Sequence, residues 1–487
     1  MRYRRTIAGG LLVAALAGAW VWAHTPPTPR HVIVISIDTL RADQVGAYGN
    51  AVVKTPAIDA LAAESVRFAW DIAAVPSTLA GHTSMFTGNA PHTHGVPQND
   101  HLVNPDNVML AEVLRDAGFD TAAFLGAMPL GSPSGFTQGF TKVDERFTLM
   151  RRQDHVEQTM RPADAVTDAV LGWLDTRDAA APMFLFVHYY DVHAPYRPPE
   201  PYRSLYHPTV PDEDAGSSNH IQRTRMMIRN HDPAAKAHED SLVALYQGGV
   251  SWVDAQVGRL LDGLRTRGVL DDAIVILTSD HGEAFDAHEE LWDHGETVYD
   301  DTVHVPLIVR LPGGWHGGAV ASGLVSSVDL FPSVLELVGV SGPAVEGRSW
   351  LGQVRGDLIP AGRPNVFAEG SKPHIPDGQP WFNDATQKLN RTDTWAFIQT
   401  PRAKVSALYA LDVDPGESND VAAQHPDVAD GLHRELTAWR LSAKPLPSQP
   451  TTDERVRAEL ATLGYQDGAP STDPAADPSN SSTDSDD

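Results

Sequence analysis

Asp38, Asp280 and His281 are side chains of the kind that hold a hard divalent cation, because two carboxylates and an imidazole suit Ca²⁺, Mg²⁺, Mn²⁺ or Zn²⁺. Taken singly, an Asp at the end of a strand more often caps a turn or a helix. Three such residues at equivalent places after apolar runs point instead to one shared metal site. A second stretch, "PSTLAGHTSMFTG" from Pro76 to Gly88, is rich in hydroxyls and reads as the entry to a short helix that stops at Gly88. A hydroxyl at a helix N-terminus beside a cation is activated, since the metal and the backbone N–H groups both lower the cost of an alkoxide. Thr78 is therefore the candidate nucleophile and a further metal contact, although the segment by itself reads more readily as a plain cap.

These residues need strand ends that converge. "VIVISI" from Val32, "MFLFV" from Met183 and "AIVIL" from Ala273 are continuous apolar, β-branched runs, the pattern of strands buried on both faces of a parallel sheet. Asp38 closes the first run, Asp191 and His193 follow the second, and Asp280 and His281 follow the third, where open α/β sheets place their ligands. Thr55 and Pro56 predict a helix through about Phe68. Leu110 to Ala117 reads as helix, Gly118 as a stop, Thr121 to Leu125 as strand and Val305 to Arg310 as a fourth main strand. Between Glu200 and Ser241 the periodicity fails, predicting a long polar surface excursion. Tyr246, Val250, Val253, Val257, Leu260 and Leu264 then mark one face of a long helix. Beyond Trp350 the pattern loosens into a hairpin from about Trp395 to Leu411 and a last helix near Val428 to Leu441.

The chain of 487 residues is long enough for one large core and a smaller appended unit. With Lys+Arg 37 against Asp+Glu 63 and no basic run interleaved with aromatics, nucleic-acid binding is not expected. Arg2, Arg4 and Arg5, the apolar run Ile7 to Trp22 and small Ala23 read as a secretory signal or an N-terminal membrane anchor, so the protein is expected to be exported to a periplasmic or extracellular space. The absence of cysteine excludes disulfides and thiolate metal sites. The tail from Gln466, rich in Ser, Pro and Asp, is expected to be disordered. The resulting division is a signal segment at 1–23, a catalytic domain at 30–350, a C-terminal subdomain at 351–465 and an acidic tail at 466–487.

"DTLRAD" from Asp38, "TLAGHTSMFTG" from Thr78, "DVHAPY" from Asp191, "SDHGE" from Ser279, "DHG" from Asp293, "VHVPLIV" from Val303 and "LYALDVDPGESND" from Leu408 together resemble the sulfatase family of the alkaline phosphatase superfamily. The blocks occur in the family's order over about nine tenths of the chain. The resemblance implies an alkaline-phosphatase-like α/β sandwich with a central, mostly parallel sheet, and a small C-terminal sheet-and-helix subdomain. It places one divalent ion on Asp38, Asp280 and His281, with Thr78 where sulfatases carry a formylglycine made from Cys or Ser. It also implies that His193 contacts the transferred group, that His294 stands about where many members have a substrate-binding Lys, and that His82 replaces the Arg supporting the nucleophile. Asn99 is similar to an asparagine that touches the anion in relatives cleaving phosphonates and phosphodiesters.

The departures narrow the chemistry. Thr39 replaces a second metal Asp, and Thr78, Ala80 and His82 replace the Cys/Ser, Pro and Arg of the maturation motif. Oxidation of threonine at Cβ gives a ketone, so no formylglycine is expected at Thr78, and shifting the register to Ser77 misplaces His82 and Gly88. An esterified threonine has to be cleared by water attacking the central atom, which favours phosphorus over sulfur. The expected activity is hydrolysis of a small or oligomeric anionic phosphate or phosphonate ester, with His193 or His294 as acid or base. Sulfate ester hydrolysis, envelope phosphoryl-group transfer and a non-catalytic binding role are the alternatives. Asp191, His193 and His294 form a candidate second metal site of a type zinc accepts. His92 and His94 read as structural turn residues, Glu283 and Glu296 as supporting carboxylates, and Arg223, Arg225 and Arg229 as a solvated charge run able to meet an anion.

Overall fold

The computed structural model describes residues 27–462 apart from 153–154, 208–213, 286, 289–290, 356–361 and 372–385. The expected signal segment and acidic tail lie outside the described residues, among which no helix is long and apolar enough to cross a membrane.

The apolar runs form the centre of an eight-stranded sheet. Its strands are β1 (His31–Ile37), β2 (Val66–Ile72), β3 (Asp120–Phe124), β4 (Lys142–Asp144), β5 (Met183–Tyr189), β6 (Ala273–Thr278), β7 (His304–Arg310) and β8 (Val320–Ser326), in the spatial order β8-β2-β7-β6-β1-β5-β3-β4. Only β7 runs antiparallel to its neighbours β6 and β2; the other pairings are parallel. Every residue of β1, β5 and β6 is buried, because helices cover both faces. Ile33, Ile35 and Ile37 of β1 pack with α1 (Pro56–Ala63), α4 (Ala163–Leu174) and α6 (Ala235–Thr266). Val32 and Val34 face the opposite layer of α2 (Thr78–Thr87), α3 (Leu110–Asp116) and α7 (Leu330–Val338). This alternation is the expected sandwich.

Two local expectations change. The helix begun at Pro56 stops at Ala63, where the Ser65 hydroxyl donates to the Leu61 carbonyl at 2.6 Å, and Phe68 is a fully buried strand residue of β2. The stretch 200–241 is also not all irregular, since it holds α5 (Ser218–Arg229) and the first turns of α6. Ser217 caps α5, its hydroxyl accepting from the His220 N–H at 3.1 Å, but only His220, Ile221 and Thr224 of the helix are buried. So thin an apolar stripe leaves little periodicity to read.

A second, antiparallel sheet is built from β9 (Val366–Glu369), β10 (Lys388–Arg391), β11 (Trp395–Thr400) and β12 (Val405–Ala410), backed by α8 (Pro426–Ser442). The helical turn Leu351–Arg355 packs into the core of the large sheet. Past α8 the chain returns to the first domain: Gln449–Pro450 pairs with His101–Leu102, and Leu460 packs with Met128 and Tyr190. Glu369 of β9 fastens the two units. Its Oε1 accepts from the backbone N–H of His92 at 3.0 Å and lies 2.9 Å from His92 Nδ1, while the His92 ring meets Trp439 of α8 edge-on.

Burial disfavours charge on both partners, but the pairing overrides it, holding His92 above and Glu369 below their ordinary values. A raised histidine contributes fully below its unfolded value and loses its share as pH rises through the folded one. A depressed glutamate contributes above its unfolded value and loses its share as pH falls. Wild type should therefore exceed Glu369→Gln in unfolding free energy most clearly between pH 4.5 and 6.5, the ordinary values of the two groups, by about 1–3 kcal/mol. A gap that stays constant across the pH range in calorimetry would count against the charged pair.

Candidate active site

Parallel pairing of β1 with β6 sets Ser36 opposite Thr278, so Asp38 and Asp280, each two residues further on, leave the sheet side by side. Both carboxylates and the His281 ring are fully buried, and one ligating atom from each lies within 4.8 Å of the others. His281 Nε2 is 3.4 Å from Asp280 Oδ2 and 4.0 Å from Asp38 Oδ1. Its Nδ1 donates to the Gly282 carbonyl at 2.8 Å, which leaves the Nε2 lone pair toward the carboxylates. Asp38 Oδ1, Asp280 Oδ2 and His281 Nε2 make no hydrogen bond among the described residues. Burial pushes Asp38 and Asp280 up to about 7 each, and Asp38 adds to the rise at Asp280. Two desolvated carboxylates with unpaired oxygens and an imidazole lone pair turned between them fit a divalent cation.

Helix α2 brings the hydroxyl. Gly81 lets the helix approach closely, since a Cβ there would stand 3.1 Å from the Asp280 carbonyl, and Gly88 ends the helix at φ +71°. Thr78, its first residue, is buried and hydrogen-bonded through its side chain to Asp38. His82 lies under the same turn, with Nδ1 2.7 Å from the Thr78 carbonyl, Nε2 2.9 Å from Ser36 Oγ and Nδ1 3.5 Å from Asp280 Oδ2. Burial lowers it to about 3, so it is a neutral brace. Asn99 accepts the Leu79 N–H at 2.7 Å, and its buried Nδ2 makes no hydrogen bond among the described residues. An N–H donor beside Thr78 is thus available to an anion.

Thr39 sits at φ +58°, uncommon for a β-branched residue. Its hydroxyl donates to the Asp38 carbonyl at 2.7 Å, so the side chain is turned back onto the backbone where the resemblance implies a second carboxylate. On the far side, His193 stacks on Tyr190 at 4.4 Å, meets His294 at 5.0 Å, and His294 lies 4.3 Å from His281. Burial lowers His193 to about 3. His294 Nδ1 is 3.1 Å from Glu283 Oε1, and Glu283 Oε2 accepts from the Tyr196 hydroxyl at 3.0 Å. Glu283 therefore orients a ring of the site.

Asp191 does not join His193 and His294. Its Oδ1 accepts from the Trp252 indole at 2.8 Å, and the one group of three ligating side chains among the described residues is Asp38, Asp280 and His281. His94 is structural, its Nε2 3.0 Å from Ser84 Oγ and its Nδ1 accepting the Val96 N–H. The residue that sequence reasoning missed is His188 of β5, whose Nε2 is 3.1 Å from Asp38 Oδ2. It lies in register with Ser36, and the only hint was one polar residue inside "MFLFVHYY".

A buried Asp/Asp/His cluster at the strand ends of a doubly covered sheet, with a hydroxyl at a helix N-terminus, defines a metal-dependent hydrolase site. Residues 30–340 match the sulfatase family, and residues 289–442 match the C-terminal region of N-sulphoglucosamine sulphohydrolase, so the chain belongs to the sulfatase family, whose members are hydrolases using a divalent metal ion. It is similar to an ulvan-active sulfatase of Formosa agariphila, 24% identical with 81% of this chain and 77% of that protein covered. It is also similar to an arylsulfatase of Clostridium perfringens, 25% identical over 66% of this chain and 77% of that protein. Its fold is similar to that of the phosphonate monoester hydrolase of Agrobacterium radiobacter, with a TM-score of 0.67, 23% identity and coverage of 85% of this chain and 96% of the other.

Chelation should lower the thermal midpoint of the wild type, and divalent metal at a hundredfold excess over its Kd should restore about 2.7 kcal/mol. Asp280→Asn should retain no metal by elemental analysis and show no such response. His188→Leu should weaken metal binding about ten- to a hundredfold in a competition titration, because the carboxylate it steadies is left loose; unchanged affinity would remove His188 from the site.

Proposed function

We propose that the protein cleaves phosphate or phosphonate esters through a covalent intermediate on Thr78. The observation that carries this reading is the Thr78 hydroxyl at the start of α2, hydrogen-bonded to Asp38 within the Asp38, Asp280 and His281 cluster. Those three residues and Thr78 would hold one divalent cation, which when bound supplies Lewis-acid stabilisation of the alkoxide and of the charge on the transferred group.

In this scheme Thr78 Oγ forms a bond to the central atom as the bond to the leaving oxygen breaks, and its proton departs along the hydrogen bond to Asp38. The Asn99 Nδ2–H group meets an equatorial oxygen. Buried, neutral His82 holds the first turn of α2 through the Thr78 carbonyl and Ser36. The leaving oxygen takes a proton from the protonated form of His294, which Glu283 supports, while neutral His193 packs against it. A water then attacks the central atom and gives its proton to the same His294, and the Oγ bond breaks as Asp38 returns its proton to restore threonine. His294 suits the second step, because Nδ1 held on Glu283 leaves Nε2 as the acceptor. Threonine itself favours phosphorus, since its ester has no route of collapse to an aldehyde.

Sulfate ester hydrolysis by the same residues is the second reading, favoured by the sulfatases among the relatives. Envelope group transfer and a non-catalytic binding role remain the other readings, and the N-terminal segment is proposed to carry the chain out of the cytoplasm. A panel of nitrophenyl phosphate, phosphodiester, phosphonate and sulfate esters, with each divalent metal and with an added acceptor alcohol, separates them. Thr78→Ala should lose at least about a thousandfold in kcat while keeping its metal. Full activity in that variant would sink the nucleophile, and silence of the wild type on the whole panel would favour the binding protein.

A further inference from the structure

Arg225 falls in the stretch where sequence reasoning found only a polar charge run, yet its side chain is turned inward onto the segment that presents His294. Its Nε donates to the Leu291 carbonyl at 2.7 Å, one Nη donates to the Trp292 carbonyl, and the same nitrogen lies 3.2 Å from Asp293 Oδ2. Asp293 uses its other oxygen, Oδ1, to accept the His294 backbone N–H at 3.0 Å. A single guanidinium fork thus grips three consecutive residues, and the third grips the backbone of the fourth, which is His294 itself.

The segment needs such a clamp. Trp292 sits at φ +52°, a conformation costly for a large side chain, and is 1% exposed. It stacks on Phe285 at 4.9 Å, and Ala284 and Asp293 pair as an isolated antiparallel bridge. This folds the segment back so that His294 emerges beside His281 and His193. Glu283 then fixes the ring through Nδ1, while the backbone beneath the ring is fixed from α5.

We propose that Arg225 is a positioning residue for His294, acting through Asp293 to hold the imidazole at the distance from the transferred group that turnover requires. The inference rests on the role given to His294 above. It also assigns a purpose to α5, which buries too little to be needed as core.

The test is steady-state kinetics of Arg225→Ala, His294→Ala and the double variant on the best ester of the panel, with metal content and thermal midpoint recorded for each. Arg225→Ala should lower kcat about a hundredfold, as expected for a small displacement of a reacting group, with KM changed less than about threefold and metal retained. In the His294→Ala background the same substitution should cost less than about twofold more, because the two act as one unit. Millimolar guanidinium should restore part of the kcat of Arg225→Ala and none of that of the double variant. An equal loss in both backgrounds, or wild-type kcat in Arg225→Ala while His294→Ala is impaired, overturns this inference alone. Wild-type kcat in His294→Ala overturns the reading of His294 beneath it.

Discussion

Two carboxylates that would repel each other, Asp38 and Asp280, are delivered to the same point by parallel pairing of β1 and β6, and then shut away from water by helices on both faces. In the absence of a cation this arrangement is costly: desolvation raises both groups to about 7, and the proximity of one adds to the rise of the other. Much of the neighbourhood reads as a response to that cost. His281 turns a lone pair toward the pair, the Thr39 N–H points toward Asp280 Oδ1 at 3.4 Å, His188 sits against Asp38, and the hydroxyl of Thr78 leans on Asp38 as well. The strained backbone of Thr39 belongs to the same compromise, since its carbonyl accepts the Tyr246 hydroxyl at 2.8 Å from the long helix α6.

Around this centre the protein gathers imidazoles, those of His82, His188, His193, His281 and His294. Burial makes His82 and His193 neutral. Neutral rings can brace, orient and exchange protons, but they do not draw an anion in with a full charge. The exposed-looking helix α5 and the carboxylate Glu283 gain importance from this, because a ring that works through its nitrogen lone pair depends on being aimed. A lysine on a flexible stem would need far less aiming.

Much of this was legible from residue types. The three buried runs could be read as strands of one sheet, and the ligand cluster followed from their ends, because a parallel sheet leaves few other places for a strand-terminal Asp to go. His188 was not legible, since a histidine inside a fully apolar strand carries no period and its partner Asp38 is 150 residues away. The helix boundary after Ala63 was obscured because Val66 and Phe68 continue an apolar pattern that helix and strand share at short length. Asp191 looked like a ligand from its spacing to His193, but a Trp252 indole on the neighbouring helix claims it. The expected sandwich and appended sheet matched the fold, whereas nothing in the sequence set Arg225 apart from Arg223 and Arg229, because its inward contacts are with residues more than 60 positions away.

The central strand β1 stands near the beginning of the chain, but its two partners begin at Met183 and Ala273. During synthesis the first ligand, Asp38, therefore waits for about 240 residues before the second exists. No partial chain ending before β6 can close the sheet or offer a complete metal site, and the long loops that must be closed first make the folding barrier largely entropic. A metal site on these residues is consequently completed late, and a chain stopped short of Ala273 leaves one edge of the buried strand β1 unpaired.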